Sequence, residues 1–171
     1  MRPVRVALLL PFLLAVLGAP LADHVPGAEA RALVDTHNRL RARHCAPPLR
    51  WSPKVAASAE RWAQTLQRKG CALQHSGGPY GENLAGGTHG AMTPDAVVEM
   101  WYAEVKGYAF KRGGFSPKTG HFTQLVWRGT SELGCAKAEC GSQIDLWVCQ
   151  YAPPGNVEGG YHDNVQPIGC K

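Results

Sequence analysis

The sequence contains no apolar run long enough to cross a bilayer. Its most apolar stretch, from Val6 to Leu17, is shorter than the about 20 residues that a transmembrane helix needs. Arg2 and Arg5 precede this stretch, and such an order is typical of a secretory signal peptide. We place the signal at residues 1–22 and expect a secreted protein, extracellular or periplasmic in location, with no stable membrane anchor.

The chain also has little net charge. The formal charge is +5, and it falls to +3 when the two arginines of the signal are removed. This excess is too small to indicate a nucleic-acid partner. Arginines 31, 39, 41 and 43 share one predicted helix, and we interpret them as its solvated face. Residues 23–171 are enough for one ordinary core and contain no internal repeat, so a single domain is predicted.

Paired C-x-x-C knuckles are absent, which argues against a zinc-ribbon site. The six cysteines lie at positions 45, 71, 135, 140, 149 and 170, all beyond the signal. An even number of cysteines in an exported chain indicates disulfides. Six cysteines allow 15 connectivities, and their spacing alone does not choose among them.

Helical periodicity and start signals predict three helices. They cover residues 29–44, residues 53–70 after the N-cap Ser52, and residues 94–106 after the N-cap Thr93. Alternating patterns predict a hairpin of Leu133–Glu139 and Asp145–Tyr151, and a glycine-rich loop holds at most a short strand at Glu82–Ala85. The tail from Pro153 is predicted to wrap the surface and to be pinned at its end.

No H-E-x-x-H motif is present, so spacing does not announce a metal site. His75, Glu82, Glu104 and His121 come from four different elements, and whether they meet is left open by the residues alone. His121 could be a hydrogen-bonded histidine at the edge of the core, and Glu104 could form a salt bridge with an arginine or lysine. His37 falls on the inward stripe of the first helix, where we expect a buried histidine bonded to backbone.

Two long segments nevertheless resemble known signatures. GHFTQLVWRGT at 120–130 and LWVCQYAPPGNV at 146–157 resemble the two signatures of the CAP superfamily, which comprises cysteine-rich secretory proteins, antigen 5 and pathogenesis-related proteins. The segment from His75 to Asn83 matches that family's HS…YGEN loop. The resemblance implies an α+β fold in the form of a three-layer α-β-α sandwich.

The same resemblance implies a site and a set of disulfides. His75, Glu82, Glu104 and His121 match four residues that line one cleft in the family. There the histidines can hold a divalent cation such as zinc, and we expect binding to be weak with two histidines as ligands. The implied disulfides are Cys71–Cys140 and Cys135–Cys149, which leaves Cys45 and Cys170 for the third.

Three functional hypotheses follow from the resemblance. Several CAP domains bind sterols or fatty acids, so the first hypothesis is an apolar ligand bound apart from the His/Glu cleft, with the aromatic loop Tyr108–Phe115 as the local feature that permits it. The second is a secreted defence or interaction module without a small ligand. The third is a weak metal-dependent hydrolase that uses the four cleft residues. Ser76 is adjacent to His75, but adjacency in sequence is not the geometry of a catalytic triad.

Overall fold

The computed structural model describes residues 27–170, so the predicted signal peptide lies outside the described residues. The elements are α1 (Ala28–Arg43), β1 (Arg50–Trp51), α2 (Pro53–Arg68), β2 (Gly81–Thr88), α3 (Pro94–Tyr102), a 3₁₀ turn (Ala103–Gly107), α4 (Gly120–Val126), β3 (Glu132–Cys140), β4 (Ile144–Ala152) and α5 (Tyr161–Asn164). No helix in this part of the chain has the length and apolar character needed to span a membrane.

The four strands form one sheet in the order β1-β3-β4-β2. Strands β3 and β4 form the predicted antiparallel hairpin, with Cys135 opposite Cys149. Strand β2 pairs with β4 along its whole length and is an edge strand of the sheet. The short prediction at residues 82–85 underestimated β2, because the glycines in its second half have low strand propensity and the strand is stabilised by its neighbour instead.

Helices cover both faces of this sheet. Leu146 and Val148 of β4 pack with Ala59 and Ala63 of α2 on one face. Trp147 and Tyr151 alternate to the other face, into the larger core that α1, α3 and α4 complete. A Cβ on Gly134 would lie 2.0 Å from the Ala56 nitrogen, so only glycine lets α2 approach the sheet this closely. The expected three-layer α-β-α sandwich is confirmed.

The helix starts are those that the capping residues predict. Ser52 accepts a hydrogen bond from the Val55 N–H at the start of α2, and Thr93 accepts one from Ala96 at the start of α3. The predicted end of the third helix is wrong. The α-helix stops at Tyr102 and a 3₁₀ turn continues to Gly107, which places Glu104 on that tighter turn.

Three disulfides tie the loops to this framework. They join Cys71 to Cys140, Cys135 to Cys149, and Cys45 to Cys170, the same pairs that the resemblance implies. The Cys45–Cys170 bond holds the end of the C-terminal tail beside the end of α1, where the Gly169 N–H also donates to the Arg43 carbonyl. Within residues 27–170 no cysteine is free.

Helix α1 carries a buried polar stripe. His37 is fully buried; its Nδ1 donates to the Leu33 carbonyl at 2.7 Å and its Nε2 accepts from the Tyr151 hydroxyl at 2.9 Å. Desolvation lowers the pKa of His37 to about 4, so the ring is neutral at pH 7. The expectation of a buried, backbone-bonded histidine is confirmed.

The interpretation of Arg41 as part of a solvated face is wrong. Its side chain is completely buried and donates to four backbone carbonyls, those of Pro47, Leu125, Trp127 and Thr130. Burial lowers the pKa of Arg41 to about 10, and the guanidinium therefore stays charged at neutral pH. Arg39, by contrast, forms an exposed ion pair with Glu99.

We predict that Arg41→Met lowers the free energy of unfolding by about 3 to 5 kcal/mol, because it leaves buried carbonyls without their donor. Denaturant unfolding under non-reducing conditions measures the change. Arg39→Met is the matched control, and loss of its exposed ion pair should cost less than about 1 kcal/mol. Equal effects of the two substitutions would contradict the assignment.

Candidate functional site

His121 lies in the first turn of α4, and Glu104 holds that turn in place. The Glu104 Oε2 accepts hydrogen bonds from the backbone N–H groups of His121 at 3.0 Å and Phe122 at 3.1 Å. Its Oε1 accepts from the imidazole Nδ1 of His121 at 2.7 Å. The partner of Glu104 is therefore the helix terminus and a histidine, and the alternative of a salt bridge to arginine or lysine is wrong. A carboxylate at this position complements the positive end of the helix.

Glu82 holds His75 in the same manner. The Glu82 Oε1 lies 2.8 Å from the Nδ1 of His75 and accepts from the Ser76 N–H at 2.9 Å. Its Oε2 accepts from the Nε2 amide of Gln150 on β4 at 2.9 Å. The Glu82 side chain is only 5% exposed, whereas that of His75 is 63% exposed. The buried carboxylate thus orients an accessible imidazole.

The two histidine–glutamate pairs meet at one cleft. His75, Glu82 and His121 line a cavity of about 180 Å³, and Glu104 lies beside it, bonded to His121. The other residues that line the cavity are Asn83, Phe115, Pro117, Gly120 and Asn156. The structure therefore brings together the residues that the sequence left on four separate elements.

The hydrogen bonds of the cleft define which nitrogen of each imidazole carries the proton. An ionised carboxylate can only accept, so each Nδ1 must carry a proton. In the neutral ring the lone pair then resides on Nε2, and no hydrogen bond to either Nε2 is recorded in residues 27–170. The His121 ring is also stacked on Trp101, with centroids 6.2 Å apart. Metal-ligating histidines in proteins commonly donate their second ring N–H to such a carboxylate.

One buried acceptor in the cleft is unpaired. Asn83 donates from its amide nitrogen to the His121 carbonyl and to the Tyr151 hydroxyl, while its Oδ1 has no partner among the described residues. An unpaired buried oxygen is costly unless a ligand or solvent satisfies it. The two Nε2 atoms are the groups of the cleft that fit an electron-poor ligand such as a divalent cation.

The two signature segments interlock behind the cleft. Asn156 accepts from the Thr123 hydroxyl at 2.6 Å and donates to the Gly120 carbonyl at 2.9 Å. Gln124 accepts from the Gly155 N–H at 2.9 Å. The sequence identified both segments, but these supporting contacts of Asn156 and Gln124 have no spacing signal and were not predicted.

A serine nucleophile is not assembled in the cleft. The Ser76 Oγ accepts from the Gly78 N–H, and the adjacent His75 is bonded through Nδ1 to Glu82. Among the described residues no hydrogen bond joins Ser76 Oγ to an imidazole.

The aromatic loop after the 3₁₀ turn is packed against the core. Tyr108 and Phe110 contact each other at 5.0 Å between centroids, and both contact Phe122. Phe115 is exposed and lies at the rim of the cleft. Tyr108 and Phe110 are therefore packed onto the core and are not presented to a ligand, so the structure gives this loop no direct role in the binding of an apolar molecule.

An open apolar groove occurs elsewhere. It has a volume of about 700 Å³ and lies at the far end of β2, where Gly86 and Gly87 line it. Its polar lining residues are Thr88, His89, Ser142 and Gln143. Leu73 and Ile144 line it with exposed side chains. Sequence periodicity could not find it, because its apolar residues come from a loop and a hairpin end.

A second group of possible metal ligands lies beside this groove. Ligand atoms of His89, Glu139 and Asp145 all lie within 4.8 Å of one another, so the group could hold a metal ion. This group was not predicted from the sequence. The signal was available in the predicted hairpin, because its register places Glu139 opposite Asp145.

The comparisons with known proteins agree with this architecture. Residues 34–151 match the sequence profile of CAP, the cysteine-rich secretory protein family. The chain is 44% identical over 141 residues to protein PRY2 of Saccharomyces cerevisiae, covering 80% of this chain and 41% of that protein. It is 37% identical over 142 residues to pathogenesis-related protein 1 of Arabidopsis thaliana, covering 83% of this chain and 87% of that one. The chain spans about half the length, or less, of two fungal relatives that it matches, 52% of one from Candida albicans and 41% of PRY2.

Solved structures share the fold. The crystal structure of NaASP2 with Zn²⁺ is similar with a TM-score of 0.65 and 25% identity, covering 86% of this chain and 91% of that one. Hookworm platelet inhibitor is similar with a TM-score of 0.66 and 20% identity, covering 82% and 76%. The second likeness, at this identity, concerns the fold alone.

We predict that Glu104→Gln changes the tautomer of His121 and not that of His75. A glutamine that still accepts from the α4 N–H groups must present its NH₂ to the imidazole, which then becomes an acceptor at Nδ1 and carries its proton on Nε2. Nitrogen-15 NMR of the histidine rings at pH 8 distinguishes the two forms. His75 is the internal control, and an unchanged His121 signal would disprove the assigned hydrogen bond.

Proposed function

This chain belongs to the CAP family of cysteine-rich secretory proteins, and from that premise we propose that it is an extracellular protein that binds a divalent cation such as zinc in the His75–His121 cleft. The observation that carries the proposal is the pair of Nδ1–carboxylate hydrogen bonds, at 2.8 Å for His75 and 2.7 Å for His121. Because each Nδ1 carries the proton of its hydrogen bond, the free lone pair of the neutral ring is on Nε2. The extracellular location is supported by the family and by the three disulfides.

In this proposal the histidines are the ligands and the glutamates orient them. Zinc accepts neutral imidazole nitrogen, and a carboxylate on the opposite ring nitrogen raises the basicity of the ligand. When bound, the cation supplies an electrophilic centre. Glu82 and Glu104 also neutralise part of the added charge without leaving the backbone N–H groups that they already bind.

Binding rather than hydrolysis is the activity that this arrangement supports best. A hydrolase would need one glutamate free to take a proton from water. Each carboxylate here accepts hydrogen bonds from an imidazole and from backbone N–H groups, and Glu82 also accepts from the Gln150 amide. The similar NaASP2 structure was obtained with Zn²⁺, and this supports a cation of the same kind.

We predict that His121→Ala and His75→Ala each weaken zinc binding at the cleft more than tenfold, because two histidine ligands are the minimum from which this site can be built. Calorimetric titration of the metal-free full chain with zinc measures the loss. His162→Ala removes an exposed histidine of α5 and serves as the control. Unchanged heats in both cleft variants would exclude the cleft as a zinc site.

A small apolar ligand, a fatty acid or sterol, is the second function that we propose, and the groove of about 700 Å³ between Leu73 and Ile144 is the observation in its favour. Ligand pockets for small molecules are commonly of this volume and combine apolar side chains with a few polar groups. Exposed Leu73 and Ile144 offer apolar area that a hydrocarbon chain or ring system would cover. The groove is built from other residues than the His75–His121 cleft.

We predict that Leu73→Asp abolishes fatty-acid or sterol binding, because it places a charge in the apolar wall. Ile168→Asp is the control, since Ile168 is equally exposed, at 57% against 58%, and lies outside the groove. A fluorescent fatty acid and a fluorescent sterol are titrated separately. The His75→Ala, His121→Ala double variant should retain binding, and its loss in a folded sample would contradict the separation of the two sites.

A further inference from the structure

The tip of the β3–β4 hairpin carries two carboxylates in direct opposition. Glu139 and Asp145 are cross-strand partners, so their side chains lie on the same face of the sheet. Like charges at such positions destabilise a hairpin unless a cation lies between or beside them. The pair therefore indicates either a compensating side chain or a bound ion.

His89 completes the group from the turn that follows β2. It follows the last residue of β2, and its N–H donates to the Gln143 carbonyl of the hairpin turn, which fixes its backbone beside the pair. Its Nδ1 lies 2.9 Å from the Asp145 Oδ1, and the Gly90 N–H donates to the Oδ2 of the same residue at 2.9 Å. His89 and Glu139 are exposed, whereas Asp145 is only 1% exposed.

Asp145 is the fixed member of the group. Its buried carboxylate accepts a hydrogen bond at Oδ2 from the Gly90 N–H, at 2.9 Å, while the two exposed side chains can adjust around it.

We propose that His89, Glu139 and Asp145 form a second divalent-cation site, which takes a transition metal of the zinc type. Their ligand atoms lie within 4.8 Å of one another. The proton that the His89 Nδ1 donates to the Asp145 Oδ1, at 2.9 Å, is released when an ion binds between them at the about 2.0 to 2.2 Å that zinc ligands adopt. An imidazole with two carboxylates is a donor set that suits zinc better than magnesium or calcium, which favour oxygen ligands. Three protein ligands leave a coordination position for water or a ligand group.

This site is separate from the His75–His121 cleft. Glu82 pairs with Gln150 at the start of β2, whereas Asp145 pairs with Gly87 near its end. Five residues of extended strand correspond to about 17 Å. His89 also lines the apolar groove, so an ion held there would lie at the groove's edge. The second site does not depend on the cleft being a zinc site.

Two side chains provide an alternative explanation. His89 forms an ion pair with Asp145 when its ring is protonated, since its Nδ1 lies 2.9 Å from the Asp145 Oδ1. Lys137 lies on the same face, two positions from Glu139 on β3, and its charge acts on Asp145. Its Nζ, however, lies 3.9 Å from Glu29 Oε1 and over the Trp147 ring. If Lys137 alone balanced the carboxylates, its removal would destabilise the hairpin and metal would not bind. If the group is a metal site, Lys137→Met removes a competing charge and strengthens binding.

Zinc titration of the metal-free full chain tests the proposal, and calorimetry gives the stoichiometry of binding. NMR of the His89 ring in the unaltered protein is a second measurement, which needs no variant. We expect the His75→Ala, His121→Ala double variant to retain one equivalent of zinc, and the further change His89→Ala or Glu139→Gln to weaken it more than tenfold. Lys137→Met should bind at least as tightly as the parent.

The outcomes separate the two sites. Zinc binding that is lost with His89 but not with the cleft histidines would support this site and refute the cleft. No zinc-dependent change in the His89 ring signal, or a stoichiometry that His89→Ala and Glu139→Gln leave unaltered, would overturn the present proposal whatever the cleft does.

Discussion

Helix α4 is held at its two ends by opposite charges, and the rest of the site depends on that arrangement. The carboxylate of Glu104 accepts from the N–H groups of its first turn, and the buried guanidinium of Arg41 donates to the Leu125 and Trp127 carbonyls at its other end. Both charges complement the helix dipole. A helix of seven residues is too short to be stable by itself. Its position in the core, and with it the position of His121, is therefore set by two ionised side chains from elsewhere in the chain.

The framework of the fold could be read from the sequence because its signals are local. Ser52 and Thr93 mark helix starts through their own side chains, and alternation along β4 separates Trp147 from Val148. Arg41 could not be predicted, since a charged residue on a helix is normally solvated and only the fold brings carbonyls of distant residues around it. Helix α4 likewise has too few residues for a period to show. The meeting of the cleft residues came from the family resemblance and not from their spacing.

Strand β2 runs from the His75–His121 cleft to the groove beside His89, and glycines stand at both of its ends where other side chains come close. A Cβ at Gly81 would lie 2.0 Å from Gln124 Oε1, so glycine is needed where the strand passes behind α4. At the other end a Cβ at Gly87 would lie 2.6 Å from the Met92 sulfur. Glu82 reaches the cleft between these points, and His89 follows the strand's last residue. The low strand propensity that obscured β2 in the sequence thus accompanies close packing against Gln124 at Gly81, whereas at Gly87 the neighbour is a flexible methionine side chain that can shift.

Four histidines each donate a hydrogen bond from Nδ1, but they differ in the acceptor and in whether Nε2 has a partner. His37 and His44 donate from Nδ1 to backbone carbonyls, and their Nε2 atoms accept from the hydroxyls of Tyr151 and Tyr102. Both nitrogens are then satisfied, and burial lowers the pKa of each ring, so these two histidines are neutral parts of the core. His75 and His121 have a carboxylate in place of the carbonyl, and no tyrosine of residues 27–170 donates to their Nε2 atoms. That exchange of partners makes an imidazole a better ligand and leaves its lone pair accessible, which is why the exposed pair, and not the buried pair, is suited to hold a cation.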